Sequence, residues 1–424
     1  MVDVLIINPL QRNAYHSLSS FDLPAIEPPI YGAILGNKLK KDGLEVFLYD
    51  ANLDVTSNSK MAEKALPVNP KLIIILVCGQ NPTASTSIMP TADDLVSQLR
   101  GHETNAKIAL YGVHPTALPE DSLKSGADYI IRGYGIDNRW LEDIPGMAIC
   151  RDKEDRHIAL NPPDYPDPSD FSPDWSLLDM KSYRAHNWHC LDRLDKREPY
   201  GVLITSLGCP FSCAFCPTGT MMEKMVYRPV DSIMEDLETQ VEQYGISNIK
   251  IIDEMFTLRE DRVIEICDRI VERKWNLNMW AYARVGSVTS GMLNKMRAAG
   301  IRWLGYGFES GNDDILCRIG KRGSAESIAT ADMTRSAGIH VGGNFIFGFA
   351  DDSRETMRQT LDLAFAIMPE WANFHSLMAY PGSILYREVK EKHPEWLPAA
   401  WSGYSQYSSD CKPLPTKYLS SKEV

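Results

Sequence analysis

The sequence lacks long hydrophobic runs and an excess of positive charge, and its number of cysteines is odd. The longest apolar run, KLIIILVCG at 71–79, is far too short to cross a bilayer. Lys and Arg total 44 against 56 Asp and Glu, a formal charge of −12, which argues against broad nucleic-acid binding. Nine cysteines and an amino terminus without a secretion signal argue against a disulfide framework. We therefore expect a cytoplasmic protein that binds neither nucleic acid nor membrane.

The 424 residues are enough for two or three domains, and the first predicted domain covers 1–145. Its apolar segments alternate with helical ones, which predicts a Rossmann-like, doubly wound parallel sheet. The predicted strands of this α/β domain span 3–8, 44–50, 71–79, 107–112 and 127–133.

A second βα series follows a linker at 146–197, which is rich in Pro and Asp and is predicted to be irregular. The series covers 198–385 and predicts a partial (β/α)6 barrel, while 386–424 form a carboxyl-terminal extension. Its predicted strands span 202–206, 248–253, 277–282, 302–308, 340–346 and 373–378.

The motif LGCPFSCAFCPTG places Cys209, Cys213 and Cys216 within eight positions, directly after a predicted strand. Structural zinc usually takes four protein ligands, and HNWHC (186–190) offers only a weak fourth. A cubane iron–sulfur cluster can instead be held by three thiolates, which leaves one iron open. The spacing favours a [4Fe–4S] cluster, with zinc and a loop of buried free thiols as the alternatives.

This loop resembles the signature of the radical S-adenosylmethionine (SAM) enzymes, Cys-x-x-x-Cys-x-aromatic-Cys. Cys209, Cys213, Phe215 and Cys216 match it position for position. The resemblance implies that the cysteines hold [4Fe–4S] and that the open iron chelates SAM. One electron then cleaves SAM to a 5′-deoxyadenosyl radical, and Phe215 packs near the adenine.

Polar residues and glycines end the later predicted strands, where the chemistry of a βα barrel collects. Taken singly, each acid is explained equally well as a helix cap or a surface charge. The resemblance places Arg284, Glu309 and Ser310 near the methionine or ribose of SAM and Gly348 near its adenine. The full set of predicted SAM contacts is Phe215, Asp253, Glu254, Arg284, Glu309, Ser310 and Gly348.

Upstream, PPIYGAILGNKLKKDGLEVFLYDAN, GVHPTALPED and ADYIIRGYG resemble the cobalamin-binding domain that precedes many radical SAM cores. Tyr111 and Tyr134 depart from the family pattern, and a tyrosine there could block close approach of the cofactor. A degenerate, purely structural domain is the alternative. The candidate cobalamin contacts are Gln80, Asn81, Ser85, Thr86, His114, Thr116, Gly133 and Tyr134.

The segment YRAHNWHC (183–190) carries candidate substrate contacts at Tyr183, Trp188 and His189, although interdomain packing explains them nearly as well. His375 lies near the start of the sixth predicted barrel strand, so we interpret it as a core residue.

The resemblance implies a cobalamin-dependent radical SAM enzyme, of the class B methyltransferase type. We expect it to methylate an unactivated carbon of a small secondary-metabolite or sugar-like substrate, with a flavodoxin- or ferredoxin-like electron donor. One alternative is a radical dehydratase, cyclase or rearrangement enzyme without methyl transfer. Another is a cluster- or zinc-bearing binding protein without turnover.

Overall fold

Two large sheets, built mainly of parallel strands, organise the chain in the computed structural model. The structure describes residues 2–11, 24–54, 57–79, 82–134, 147–151, 157–160, 167–168, 171–191, 193–222, 224–406 and 408–424.

The amino-terminal sheet has seven strands in the order β2-β1-β3-β4-β5-β6-β7, and its first five strands are parallel. All six residues of β3, LIIILV, are buried, as expected for a central strand covered on both faces. The strands are β1 (Val4–Asn8), β2 (Val46–Asp50), β3 (Leu72–Val77), β4 (Lys107–Gly112), β5 (Tyr129–Ile131), β6 (Met147–Arg151) and β7 (His157–Leu160).

Helices connect these parallel strands, which gives the predicted doubly wound arrangement. They are α1 (Ile30–Lys41), α2 (Ala51–Asp54), α3 (Asn58–Ala65), α4 (Met89–Gly101), α5 (Val113–Ala117) and α6 (Pro119–Leu123).

The linker prediction was wrong in one respect, because part of it is not irregular. β6 pairs antiparallel with both β5 and β7, so a hairpin extends the sheet at its edge. The prediction missed it because strands this short leave little hydrophobic alternation in the sequence.

The second sheet has six parallel strands in the order β15-β14-β13-β12-β11-β8, which confirms the partial barrel. Among the described residues β8 and β15 do not pair, so the barrel is open between them. Its strands are β8 (Tyr200–Leu203), β11 (Asn248–Ile251), β12 (Asn278–Ala283), β13 (Ile301–Glu309), β14 (His340–Phe347) and β15 (Trp371–Ser376). A small antiparallel pair, β9 (Ser206–Leu207) and β10 (Val226–Tyr227), lies beside it.

The outer layer of the barrel consists of helices that follow its strands. They are α7 (Val230–Glu238), α8 (Glu260–Arg273), α9 (Ser290–Ala298), α10 (Asp313–Arg318), α11 (Ser324–Ser336), α12 (Arg354–Ile367) and α13 (Ile384–Lys392). None of the helices in the described part of the chain has the length and apolar composition needed to cross a bilayer.

The carboxyl ends of both sheets open onto one shared cleft. Asn8, Cys78 and Val113 line it from the amino-terminal sheet, and Ile252 and Glu254 line it from the barrel. Since ligands of open parallel sheets and of βα barrels bind at strand carboxyl ends, this cleft is where ligands of the two domains would meet.

Candidate active site

The cysteine loop begins immediately after β9 and depends on a glycine. Gly208 has φ +79°, and a Cβ there would lie 2.5 Å from the carbonyl oxygen of Lys224, so a side chain does not fit. The amide of Cys216 donates to the carbonyl of Cys213 at 3.0 Å and closes a turn between the last two thiols. The local sequence thereby brings three cysteines to one side of the barrel end.

Burial favours the protonated form of Cys209, whereas Arg284 and Thr218 lie where they would stabilise thiolates. Burial raises the pKa of Cys209 to about 11, and the charges of Cys216 and Cys213 add to that rise. A guanidinium nitrogen of Arg284 lies 3.8 Å from the sulfur of Cys213, and the Thr218 hydroxyl lies 2.8 Å from that of Cys216. A cation and a hydroxyl beside buried sulfurs stabilise thiolates once a positively charged metal centre takes them up.

Three thiols are the number that a [4Fe–4S] cluster with one open iron requires, whereas structural zinc usually takes four protein ligands. In the described ranges, no three His, Cys, Asp or Glu side chains converge at single-ion distances. A cubane spreads its thiolates over different irons, so its ligands can stand further apart.

Asp253 fixes the base of the cysteine loop. Its buried carboxylate accepts from the Thr205 amide at 2.6 Å and from the Thr205 and Ser206 hydroxyls at 2.5 Å each. These three donors occupy the carboxylate, so Asp253 holds the strand-to-loop junction in place. The adjacent Glu254 instead lines the cleft, and burial raises its pKa to about 7.

Glu309 ends β13 in a conformation that few residues adopt. Its φ of +67° lies in the left-handed region, and the register with β14 shifts between Gly307 and Glu309. The carboxylate is buried and pairs with the ammonium of Lys321 at 2.8 Å. Such backbone strain concentrates at functional sites, and here the Glu309 carboxylate folds back over Gly307, where a Cβ would lie 2.2 Å from its oxygen.

Ser310 and Gly348 lie on the neighbouring loops. The Ser310 hydroxyl is 3.4 Å from that of Thr360 and accepts from the Asn312 amide at 3.1 Å. Gly348 has φ +92°, and a Cβ there would meet Val424 at 2.6 Å, so the carboxyl-terminal segment covers that face.

Phe215 faces an apolar cleft beside the cysteines. Its ring packs edge-on against Phe349 at 5.8 Å, and Ile315, Leu377 and Leu385 complete the apolar lining. A flat apolar group such as a purine suits this kind of lining.

In the amino-terminal domain, His114 leaves a polar atom without a partner. The side chain is buried, its Nδ1 lies 3.1 Å from the Thr86 hydroxyl, and its amide donates to the Ser85 hydroxyl at 3.0 Å. Its Nε2 makes no hydrogen bond to the described residues. Burial lowers the pKa of His114 to about 3, so the imidazole is neutral. An orphaned buried nitrogen of this kind fits a domain that awaits a polar ligand.

The other predicted contacts of this domain lie around the carboxyl ends of β4 and β5. The Thr116 hydroxyl donates to the Gly112 carbonyl at 2.7 Å and accepts from the Gly133 amide at 3.2 Å. Gln80 and Asn81 lie outside the described residues.

The two tyrosines that depart from the family pattern, Tyr111 and Tyr134, lie in different places. Tyr134 lines the cleft and stacks on Tyr31 at 5.7 Å, whereas Tyr111 is buried in the core below. Tyr111 therefore does not project into the cleft, and Tyr134 forms part of its wall.

The substrate interpretation of Trp188 and His189 does not agree with where the structure places them. Trp188 packs against Trp280, Trp303 and Trp371 at 5.2–5.3 Å, near the amino ends of their strands. His189 is buried beside it, with Nε2 2.9 Å from the carbonyl of Asn278, the first residue of β12. Both residues plug the end of the barrel opposite the cysteines.

Tyr183 lies at the domain junction. It is buried, and its hydroxyl donates to Asp50 at 3.1 Å. Asp50 ends β2 and also accepts from the Asn8 amide, so Tyr183 braces the strand ends of the amino-terminal sheet.

Two features near the site were not predicted. The buried ammonium of Lys250 pairs with both carboxylate oxygens of Glu27 at 3.0 Å and joins the amino-terminal domain to the barrel interior. His375 was wrongly placed, because it is the fifth of the six residues of β15 and lies near its carboxyl end. Every second residue of β11 and of β15 faces the barrel interior. This alternation in the sequence could have predicted that Lys250 and His375 lie there.

Comparisons with known proteins agree with this architecture. The family model for the radical SAM superfamily matches residues 203–364, and that for the B12 binding domain matches 22–138. An uncharacterized methyltransferase of Pyrococcus horikoshii is 27% identical over 379 residues, which cover 85% of this chain and 78% of that protein. The anaerobic magnesium-protoporphyrin IX monomethyl ester cyclase of Cereibacter sphaeroides is 25% identical over 411 residues, which cover 89% of this chain and 63% of that protein.

Two solved structures share the whole arrangement. The radical SAM methyltransferase TsrM of Kitasatospora setae, solved with cobalamin and [4Fe–4S] bound, has a TM-score of 0.72 at 18% identity and covers 92% of this chain and 75% of its own. The cobalamin-dependent radical SAM enzyme OxsB, solved with aqua-cobalamin, has a TM-score of 0.73 at 17% identity. The match covers 100% of this chain and 65% of OxsB. At these identities the likeness shows the fold.

The two family models also identify the cofactors, which are [4Fe–4S] and SAM for the barrel and cobalamin for the amino-terminal domain. The predicted cofactors are thereby confirmed, and the substrate is a small molecule. The chain is a radical SAM enzyme that carries a B12-binding domain ahead of its barrel.

Proposed function

We propose that this enzyme transfers a methyl group to an unactivated carbon of a small secondary-metabolite or sugar-like substrate. The observation that carries the proposal is the single cleft onto which the carboxyl ends of both sheets open. A substrate between the two domains would face the cobalamin side and the SAM side together, as sequential hydrogen abstraction and methyl transfer require. The similar methyltransferase of Pyrococcus horikoshii supports the same reaction class.

The cofactors supply the difficult chemistry, namely a 5′-deoxyadenosyl radical from SAM at the cluster and a transferable methyl group from cobalamin. The protein holds and orients them. We propose that Cys209, Cys213 and Cys216 ligate the cluster and that Arg284 stabilises its anionic thiolates. Asp253 positions the loop rather than touching SAM, because its oxygens are occupied by Thr205 and Ser206.

The proposed SAM contacts follow from charge and shape. The Glu309 carboxylate would accept from the ammonium of SAM, with Lys321 holding it in place. Phe215 and the apolar cleft beside it would take the adenine. Glu254, Ser310 and Gly348 remain proposed SAM contacts from the resemblance alone, since none of them lines that apolar cleft.

The proposed cobalamin contacts surround the buried imidazole of His114. Its orphaned Nε2 and the hydroxyls of Ser85, Thr86 and Thr116 would serve polar groups of the cofactor. Tyr134 and Tyr31 would exclude water from the cleft. Gly133, Gln80 and Asn81 complete the proposed set.

One electron must reach the cluster for each SAM cleaved to the radical. We propose an external flavodoxin- or ferredoxin-like donor, a cytoplasmic setting and no nucleic-acid partner, in keeping with the formal charge of −12.

A second candidate keeps the radical but not the methyl transfer. The similarity to the Cereibacter sphaeroides cyclase favours it, since that protein covers 89% of this chain. In this case the enzyme would close or rearrange a ring of its substrate.

The products of SAM separate the two candidates. Reconstituted enzyme with cobalamin, SAM, reductant and a cell extract as substrate source should form S-adenosylhomocysteine and 5′-deoxyadenosine together if it transfers methyl groups. Formation of 5′-deoxyadenosine with no S-adenosylhomocysteine and no label in product from methyl-labelled SAM would contradict methyl transfer and support the cyclase-like candidate.

A further inference from the structure

The inner face of the open barrel edge carries a row of amide and imidazole side chains. In β14 and β15, Asn344 is the register partner of Asn373, and Ile346 that of His375. Trp371, two residues before Asn373, packs against Trp188 inside the barrel. Because side chains alternate along a strand, Asn373 and His375 face the same interior.

This interior is accessible to a ligand at the level of Asn373. Although it points into the barrel, Asn373 is exposed, and His375 is only half-buried. Interior positions of a closed barrel are packed, so the exposure shows that the open side of this barrel leaves its lumen hollow there.

Gln406 fixes which nitrogen of His375 carries its proton. The Gln406 amide nitrogen donates to the carbonyl of Ser376 at 3.4 Å, so its oxygen faces the imidazole and accepts from Nδ1 of His375 at 3.2 Å. The Nε2 atom of His375 is then a lone-pair acceptor, and no residue of the described chain bonds to it. Burial lowers the pKa of His375, which favours this neutral form.

Asn373 supplies the complementary groups. One of its amide hydrogens is donated to Asn344 Oδ1 at 3.3 Å, and Asn344 in turn donates to the carbonyl of Tyr306 at 3.2 Å. The chain of bonds orients Asn373, whose carbonyl oxygen and second amide hydrogen remain available. The row thus offers two acceptors and one donor side by side.

Aromatic rings lie below this row because glycines let them approach the backbone. A Cβ at Gly342 would lie 2.3 Å from the Trp371 ring, and one at Gly305 would lie 3.3 Å from the Tyr282 ring. A flat apolar body would therefore find contacts beneath the polar row.

We propose that His375 and Asn373 are specificity-determining residues, which recognise an amide-bearing substrate with a flat apolar body in the barrel lumen. The substrate N–H donates to Nε2 of His375, its carbonyl accepts from Asn373, and Gln406 acts as a positioning residue. This inference rests on the proposed function, since it takes the lumen as the substrate side of the SAM site.

The test uses reconstituted holoenzyme with SAM and two matched probes, phenylacetamide and methyl phenylacetate, which differ in the N–H donor. Binding is measured by ligand-observed NMR without reductant, so it does not depend on turnover. We expect the amide to bind about fivefold to tenfold more tightly than the ester, the effect of one hydrogen bond. His375→Phe should abolish that preference, and His375→Gln, which keeps an acceptor, should retain part of it.

His340→Phe is the matched control, because this histidine faces the same interior at the opposite end of β14, against Trp303. It should leave the preference for the amide unchanged. Equal binding of the two probes to the native protein, or an unaltered preference in His375→Phe, would overturn the proposal.

Acylation of histidines by diethyl pyrocarbonate tests the same site without any substitution. His375 should react and be protected by phenylacetamide, whereas the buried His114 and His189 should stay unmodified. A His375 that reacts without protection would also overturn the proposal. Failure to observe methyl transfer would leave these results intact, so the two proposals fail separately.

Discussion

The two ends of the barrel are built from different side chains and do different work. The carboxyl end carries the three thiols, Arg284 beside Cys213, and the strained Glu309. The amino end is closed by Trp188 against three other tryptophans, and the Lys250 ammonium lies 4.9 Å from the Trp280 ring. The contrast teaches that this fold separates chemistry from stability, because only strand carboxyl ends converge on loops free to hold ligands.

The largest expected effect comes from removing one thiol at the chemical end. Cys213→Ala should lose the cluster and all reductive SAM cleavage while the fold survives, because the residue is in a loop and only half-buried. Iron and sulfide content and 5′-deoxyadenosine yield measure this. Cys317→Ala, which removes an exposed thiol on α10, is the control and should keep full cluster content. Full cluster content in Cys213→Ala would break the comparison.

At the opposite end, Trp188→Ala should act on stability. Removing this ring from among three tryptophans should lower the free energy of unfolding by about 3 kcal/mol. Cluster content per folded molecule should be unchanged. Denaturant unfolding followed by circular dichroism measures this loss of stability. Trp396→Ala is the control, because the Trp396 ring stacks on His393 outside the barrel. This variant should lose clearly less unfolding free energy. A stable variant that no longer assembles its cluster would show that the two ends are not separate.

Glu309→Gln sharpens the comparison within the chemical end. The substitution removes the charge that pairs with Lys321 and that we assign to the ammonium of SAM. We expect SAM affinity to fall by about tenfold to 100-fold, the effect of a charged hydrogen bond. Equilibrium binding of SAM to the reconstituted protein measures it. The exposed Glu326, paired with Arg322 at 3.8 Å, provides the control variant Glu326→Gln, which should bind SAM normally.

The smallest effect is a pH dependence located at the amino end. Burial lowers the pKa of His189 from 6.5 to about 3, so the unfolded chain takes up a proton that the folded protein excludes between these values. The stability is therefore full above about pH 6.5 and falls as pH drops below it, by about 2 kcal/mol at pH 5.

His189→Gln removes this titrating group and should make the pH profile flatter by that amount. Denaturant unfolding of both proteins at pH 7.5 and pH 5 gives the difference. A parallel decline in the two proteins would show that His189 is not responsible.

Local patterns predicted the parts of this molecule that depend on local sequence. Every predicted strand corresponds to an observed one, because parallel strands such as β3 are short, continuously apolar runs between helices. The cysteine spacing within 209–216 is a local pattern of the same kind, and its assignment to a cluster stays a prediction. The prediction missed the hairpin of β6 and β7, because its pairing with β5 is a tertiary contact that no local pattern contains.

The errors at Trp188 and His375 have a shared physical origin. Trp188 joins the tryptophan plug only when three distant strands bring their rings together, and no local pattern contains that information. The sixth strand was predicted two residues too late, at 373–378, which moved His375 from its end to its beginning. As an edge strand with exposed residues, β15 lacks the burial alternation that marks strand limits.

The most direct test of the account is the electron paramagnetic resonance spectrum of the anaerobically reconstituted, reduced protein with and without SAM. If three thiolates leave one iron open, the spectrum should show a reduced [4Fe–4S] cluster whose signal changes when SAM is added, and Cys213→Ala should lack it. A cluster signal that SAM leaves unaltered, or a protein that takes up no iron, would contradict the account.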